Sequence, residues 1–217
     1  MNERHSAGDQ ALSFLLNLRG RGIRDTALLR AFEIVKRSSF IDRRYHDLAG
    51  SDVSLPIECG QTQTAPSMLA RMFNLLEIRS TNRVLEIGTG SGYGTAILAN
   101  LAGEVVSVER FQSLVLAAKT RLANSSLENV TIILDDGCNG NASNGPFDRI
   151  LLSGSILSVP ESLIRQLAPE GILVCVVSGS GIPLLCRYRK GINAAPEPEI
   201  IGPFHLSPLI PGISTIL

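Results

Sequence analysis

A cluster of glycines and three acidic residues are the parts of this 217-residue chain best equipped for ligand chemistry. The run Val84-Leu85-Glu86-Ile87-Gly88-Thr89-Gly90-Ser91-Gly92-Tyr93-Gly94 passes from apolar, β-type residues through one carboxylate into glycine at every second position. It predicts a buried strand entering a tight turn whose backbone must approach a ligand, because a Cβ would block positive φ or the ligand itself. The spacing is not the G-x-G-x-x-G of dinucleotide sites. Its third glycine position holds Tyr93 counted from Gly88, and Thr95 counted from Gly90. A pyrophosphate would also suffer beside Glu86, whereas a cationic ligand would gain from it. Glu109 closes the next apolar run, 21 positions after Gly88, where a carboxylate can accept both hydroxyls of a ribose. Asp136-Gly137 follows a third apolar run; Asp136 could accept from an adenine amino group or form an ordinary Asp-Gly turn.

These residues need a scaffold, and from Arg83 onward the pattern alternates strand and helix. The strand candidates are Val84–Ile87, Val105–Val108, Thr131–Leu134, Arg149–Leu152 and Ile172–Val177. Between them, Thr95–Leu101, Gln112–Ala123 and Glu161–Leu167 read as helices. Apolar strands joined by helical crossovers imply a parallel sheet covered on both faces. Upstream, Asp25 can cap an amphipathic helix reaching Lys36, with Leu28, Leu29, Phe32 and Val35 on one stripe. A second helix begins at Pro66, well placed in a first turn, and runs to Leu76. Between these two helices, Phe40 to Gln63 has no clear period and reads as loop with short extended pieces. Late in the chain, Leu184–Tyr188, Glu199–Ile201 and Ser214–Leu217 read as strands, with an antiparallel edge. Arg187-Tyr188-Arg189-Lys190 reads as a solvated strand edge or turn.

Composition narrows the function classes. Twenty basic and twenty acidic residues cancel, so no global field attracts nucleic acid or an anionic membrane. No apolar run reaches the roughly 18 residues of a membrane span, and Met1–His5 leads into no secretory apolar core. Cys59, Cys138, Cys175 and Cys186 are scattered without a C-x-x-C pair, and His5, His46 and His205 lie far apart in sequence. No metal site is expected, and a reducing, cytoplasmic setting is.

The glycine turn resembles the first motif of class I S-adenosylmethionine-dependent methyltransferases. A more specific likeness covers roughly Arg19 to Leu209. Leu55-Pro56-Ile57-Glu58-Cys59-Gly60-Gln61-Thr62-Gln63-Thr64-Ala65-Pro66 is similar to the substrate loop of the protein-L-isoaspartate (D-aspartate) O-methyltransferases. Arg21-Gly22-Ile23 with Asp25, Val106-Ser107-Val108-Glu109-Arg110, Asp136-Gly137, Pro146-Phe147-Asp148 and Pro160 with Leu163 and Gln166-Leu167 continue the likeness in order. Leu206-Ser207-Pro208-Leu209 is similar to the family's closing motif. Within this pattern Thr64 stands at a serine position, Gln63 replaces an apolar residue, and Asp135 replaces a glycine. Cys138–Asn144 replaces an aromatic-containing stretch, Ser153-Gly154-Ser155 replaces Thr-Ala-Ala, and Cys175–Gly179 lacks a proline.

The resemblance implies an α/β, Rossmann-like, doubly wound and mostly parallel sheet with helices on both faces. It implies one methyltransferase domain over residues 1–217: an N-terminal helical and substrate-loop part (1–80), a cofactor-binding core (81–180) and C-terminal strands (181–217). S-adenosyl-L-methionine is the implied cofactor, held by Glu86, Gly88, Thr89, Gly90, Ser91, Gly92, Glu109, Asp136 and Gly137. Gln61, Thr62, Thr64 and Pro66 are the implied substrate contacts, with Thr64 orienting the reacting carboxylate or, in a plainer role, capping the helix at Pro66. The implied reaction methylates the free carboxylate of isoaspartyl residues in damaged proteins. The ester then closes to a succinimide that reopens partly as normal aspartate, a protein-repair step. That carboxylate, with an ordinary pKa of about 3.9, is already ionised at neutral pH, so no general base is needed. Positioning does the catalysis. Ser153 and Ser155 have no adjacent base and read as local hydrogen-bonding groups in a βα loop. Isoaspartyl proteins or peptides are thus the expected partners, with no nucleic acid and no membrane, and a monomer is expected. The rival readings are a diverged methyltransferase with another acceptor and a non-catalytic module that keeps the cofactor fold.

Overall fold

The computed structural model describes residues 13–179, 181–191 and 196–215. Met1–His5 lies outside the described residues, as do residues 216–217 at the end of the expected last strand.

After a helical stretch over residues 13–20, α1 spans Thr26–Ile34. It starts where expected because Asp25 accepts the backbone N–H groups of Ala27 and Leu28 at 2.8 and 3.0 Å. The aperiodic stretch that follows contains 3₁₀ turns at Arg37–Phe40, Arg43–Leu48 and Glu58–Gly60. It also holds a two-residue antiparallel ladder between β1 (Leu55–Pro56) and β2 (Thr62–Gln63). The next helix, α2, spans Pro66–Leu76. The remaining helices are α3 (Tyr93–Leu101), α4 (Gln112–Ala123) and α5 (Glu161–Gln166).

The main sheet contains β3 (Arg83–Ile87), β4 (Glu104–Glu109), β5 (Val130–Leu134), β6 (Phe147–Ile156), β7 (Leu167–Val177), β8 (Leu184–Arg189) and β9 (Pro198–Pro203). Their spatial order is β5-β4-β3-β6-β7-β8-β9. Neighbours from β5 through β7 run parallel, while β8 and β9 join antiparallel. Alternation along each strand feeds two cores. Val84, Val105, Ile132 and Val174 pack beneath α1 to α4, whereas Leu85, Val106, Ile150 and Leu173 pack on the other face with Leu163 of α5. Full burial on both faces explains why these strands read as continuous apolar runs. The chain reverses its order across the sheet between β3 and β6, so the carboxyl ends of those strands form the crevice where such sheets bind ligands.

Several elements depart from the sequence reading. Strand β6 continues to Ile156 through a register shift after Leu151. Ser153 and Ser155 therefore lie in a strand rather than in a βα loop. Strand β7 begins directly at Leu167, where α5 ends. Ser214 and Thr215 form no strand. Arg187–Arg189 belongs to β8, which is flanked by strands on both sides, so it is neither an edge nor a turn. Arg187 and Arg189 both reach the carboxylate of Glu77, at 2.9 and 2.8 Å.

Candidate active site

A cavity of about 360 Å³ opens at the switch point between β3 and β6. The glycine loop forms its floor. Gly88, Gly90 and Gly92 have φ of +96°, +53° and +87°, the left-handed region that a side chain would strain. Gly94 answers to a different constraint: a Cβ there would sit 2.9 Å from Oε1 of Glu86.

Glu86 is 1% exposed, at the penultimate position of β3. Its Oε2 accepts the hydroxyls of Thr95 at 2.5 Å and Ser107 at 2.7 Å. Ser107 also shares a 2.6 Å hydrogen bond with Thr89 of the glycine loop. Burial pushes the Glu86 carboxyl up to about 7, outweighing the pull of the two hydroxyls, and the charge of Glu109 adds to the rise. A buried carboxylate on the cavity wall is poised to ionise when a cation arrives.

Glu109 ends β4, and its Oε2 accepts the N–H of Gly90 at 2.9 Å. Its Oε1 accepts the N–H groups of Arg110 and Phe111 at 2.8 and 3.0 Å. These bonds fix the carboxylate against the glycine loop; Oε1 has both lone pairs engaged, and Oε2 keeps one for a hydroxyl donor. Asp136 caps a 3₁₀ turn by accepting the N–H of Cys138 at 3.0 Å. Burial would raise its pKa, but the Cys138 and Gly212 amides and the Arg110 charge outweigh that and lower it. Gly137 beside it leaves no room for a side chain, since a Cβ would meet Ile87 Cγ2 at 2.7 Å. Among the described residues no cluster of side chains could hold a metal ion.

The substrate-loop candidates reach the same cavity. Gln61, Thr62 and Thr64 line it together with Glu86, Gly88, Thr89, Gly90, Ser91, Glu109, Asp136 and Gly137. Pro66 and Gly92 lie off the wall, where they begin α2 and α3. Thr64 does not cap α2. That helix has Ala65 at its N-cap without a side-chain bond, and Asp52 accepts the N–H of Ser67 instead, at 2.9 Å. The Thr64 hydroxyl engages no hydrogen-bond partner among the described residues.

Several wall residues were not placed at the site by the sequence. The segment 205–210 forms one side of the cavity, with His205 at its start. It is held to β6 because Ser155 N–H donates to Ser207 O at 2.9 Å and Leu209 N–H donates to Ser155 O at 2.8 Å. Ser155 Oγ also donates to Leu206 O at 3.2 Å. Ser153 lines the cavity, and its buried hydroxyl has no partner among the described residues. Only the Leu206–Leu209 motif hinted at this wall, because its pairing depends on residues about fifty positions away.

Comparison with known proteins adds to this geometry. A family model described as protein-L-isoaspartate(D-aspartate) O-methyltransferase matches residues 10–200. A protein-L-isoaspartate O-methyltransferase of Xanthobacter autotrophicus is 41% identical over 220 residues, covering 100% of both chains. One from Serratia proteamaculans is 46% identical over 179 residues, 82% of this chain and 86% of its own. A Plasmodium falciparum protein assigned as a protein-L-isoaspartate O-methyltransferase, crystallised with S-adenosyl-L-homocysteine, superposes with a TM-score of 0.78 at 25% identity. That match covers 91% of this chain and 97% of the other.

Proposed function

The chain belongs to the protein-L-isoaspartate(D-aspartate) O-methyltransferase family, and from that premise we propose how its own residues divide the work. The protein is an S-adenosylmethionine-dependent protein carboxyl O-methyltransferase, and its acceptor is the free carboxylate of isoaspartyl residues in damaged proteins. When bound, S-adenosylmethionine supplies an electrophilic methyl group on a cationic sulfonium.

The donor set fits that molecule. Glu86, Glu109 and Asp136 line one cavity, which suits a ligand bearing positive charge at one end and hydroxyl and amino donors at the other. Glu86 would face the cationic end, Glu109 would accept a ribose hydroxyl on its free Oε2 lone pair, and Asp136 would accept the adenine amino group. Gly88, Thr89, Gly90 and Ser91 form the floor, and Gly92 shapes the turn behind it. Gly137 keeps the adenine side open.

One observation carries the acceptor assignment: Thr64, whose hydroxyl is unengaged among the described residues, lines the cavity that the glycine loop floors. Thr64 donates to the isoaspartyl carboxylate and holds one oxygen toward the cofactor end, while Gln61, Thr62 and Pro66 shape its approach. The carboxylate arrives ionised, so the protein moves no proton. Its contribution is orientation, with segment 205–210 excluding water from one side.

The same reading makes residues 1–217 one domain, acting as a monomer in the cytoplasm without nucleic acid. A reducing compartment is supported by four free cysteines, two of which, Cys175 and Cys186, face each other across β7 and β8 unbonded. Among the described residues no helix is long and apolar enough to cross a membrane. The deciding experiment incubates the protein with labelled S-adenosylmethionine and paired peptides that carry isoaspartate or normal aspartate. Selective labelling of the isoaspartyl peptide is expected. Cofactor binding without that label would assign the scaffold to another acceptor or to a non-catalytic role.

A further inference from the structure

We propose that Gln63 and Arg121 fasten the acceptor loop onto the cofactor loop at Ser91, so that cofactor and acceptor bind cooperatively. The proposal rests on the assignment of Thr64 to the acceptor and the glycine loop to the cofactor. Ser91 lies in the glycine loop, 3% exposed, and is held from two directions. From one side, Gln63 Nε2 donates to Ser91 Oγ at 2.9 Å. From the other, Arg121 of α4 donates to Ser91 O at 3.3 Å and to the Glu58 carboxylate at 2.7 Å. Glu58 and Gln63 flank the turn that carries Gln61 and Thr62, and Thr64 follows directly.

Gln63 is itself fixed from behind. Its Oε1 accepts Arg37 Nε at 2.6 Å, and its Nε2 also donates to Phe40 O at 3.2 Å. The other Arg37 nitrogens donate to Ser51 O at 2.9 Å and Val53 O at 2.7 Å. Arg37 and Gln63 are both 5% exposed. The acceptor loop has little ladder of its own, only Leu55 opposite Gln63 and Pro56 opposite Thr62. Its position therefore depends on these ties, together with the 3.0 Å contact between Cys59 Sγ and Ser113 Oγ of α4. The family pattern has an apolar residue at position 63, and an apolar side chain could make neither the Arg37 nor the Ser91 bond. Gln63 is thus a positioning residue that acts through Ser91 and Thr64. A ligand that orders the glycine loop orders Ser91, and through it the loop that must meet the acceptor. The second ligand then binds a segment that is already ordered, which is positive coupling.

The test measures binding of an isoaspartyl peptide to the full chain by calorimetry, with and without saturating S-adenosylhomocysteine. The wild type is expected to bind the peptide at least about fivefold more tightly with S-adenosylhomocysteine present. In Gln63→Met the ratio falls toward one and the peptide KM rises. Gln63→Met strands the buried Arg37 guanidinium and could unfold the protein. Arg121→Met removes the second tie from a helix surface and provides the independent arm, with the same direction of change. A ratio of one in the wild type, or a ratio unchanged in Arg121→Met, overturns the proposal. Failure of the wild type to methylate the peptide at all overturns the acceptor assignment, and the coupling proposal falls with it.

Discussion

Ser107, which pairs with Glu86 across the β3–β4 ladder, donates its hydroxyl to the Glu86 carboxylate at 2.7 Å. Thr95 donates to the same oxygen from α3, so one carboxylate joins two strands and a helix beneath the cofactor floor. Two hydroxyls do not compensate for full burial, and the folded pKa stands at about 7 against an ordinary 4.5. Because the folded value is raised, this group's contribution to stability is fully present below about 4.5 and is lost as pH rises through about 7. A cationic ligand favours the ionised form. Cofactor binding near pH 6 should therefore release a proton, and affinity should rise toward pH 8 by up to about tenfold per unit below the folded pKa. Calorimetry of S-adenosylmethionine binding in buffers of different ionisation enthalpy measures that proton directly. Glu86→Gln should bind weakly and without the pH dependence; a flat wild-type profile would remove Glu86 from the cationic subsite.

How much of this site the sequence discloses depends on the range of each contact. The glycine loop, Glu109 and Asp136 were legible because strand ends and turns are local patterns. The five parallel strands and their crossover helices were legible for the same reason, with the largest end displacements where ladder bonds extend a strand past its apolar run, as in β6 and β7. Gln63 was visible only as a departure from a family pattern. Its partners Arg37 and Ser91 lie 26 and 28 positions away, and loop packing, not periodicity, brings them together. Cys175 and Cys186 are scattered in sequence, and the β7–β8 hairpin sets them opposite each other. The Thr64 hydroxyl looked equally able to cap α2 until Asp52, distant in sequence, took that role.

Glu109 binds the glycine loop and offers its free Oε2 lone pair to the ribose, so its removal should act on the cofactor. Glu109→Ala should weaken S-adenosylhomocysteine binding by about tenfold to a hundredfold, the worth of one hydrogen bond to a charged group. The far-ultraviolet dichroism should stay native. Glu109→Gln, which keeps one acceptor oxygen, should fall between the two. Unchanged affinity in Glu109→Ala would place the ribose elsewhere.

Thr64 supports no cap and no internal hydrogen bond among the described residues, so its loss should cost the fold little, within about 0.5 kcal/mol. Thr64→Ala should nevertheless lower kcat by at least about tenfold, the effect of losing one oriented hydrogen bond in the transition state. Cofactor affinity should not change. Thr64→Ser, which keeps the donor, should retain most of the turnover. Equal turnover in Thr64→Ala and the wild type would exclude the hydroxyl from the reaction.

The orphan hydroxyl of Ser153 should behave in the opposite way. A buried, unpaired hydroxyl costs about 1 to 3 kcal/mol, so Ser153→Ala should stabilise the ligand-free protein against denaturant. Ser153 lines the cavity next to Gly88, and a bound ligand that draws its buried hydroxyl into a hydrogen bond would relieve the cost. Ser153→Ala should then gain less stabilisation from S-adenosylhomocysteine than the wild type does. An equal ligand-induced shift in both proteins would mean that the hydroxyl stays unpaired in the complex.

Gly154 tests the wall formed by segment 205–210. A Cβ at this position would sit 2.7 Å from Leu209 Cγ and 2.8 Å from Ser207 O. The first neighbour is a side chain that can turn; the second is backbone that pairs with Ser155 and cannot yield without leaving β6. Gly154→Ala should therefore lift the segment rather than be absorbed. The cost should be about 1 to 3 kcal/mol of stability, typical of overpacking a well-filled site. Because the displaced segment bounds the cavity, kcat/KM for the isoaspartyl peptide should drop more steeply than stability alone explains. Hydrogen exchange should localise the change, with faster exchange at the Leu209 amide and unchanged protection in β3 and β4. Exchange rates unaltered at Leu209 would show that the segment accommodates the methyl group and is not held by the close approach at Gly154.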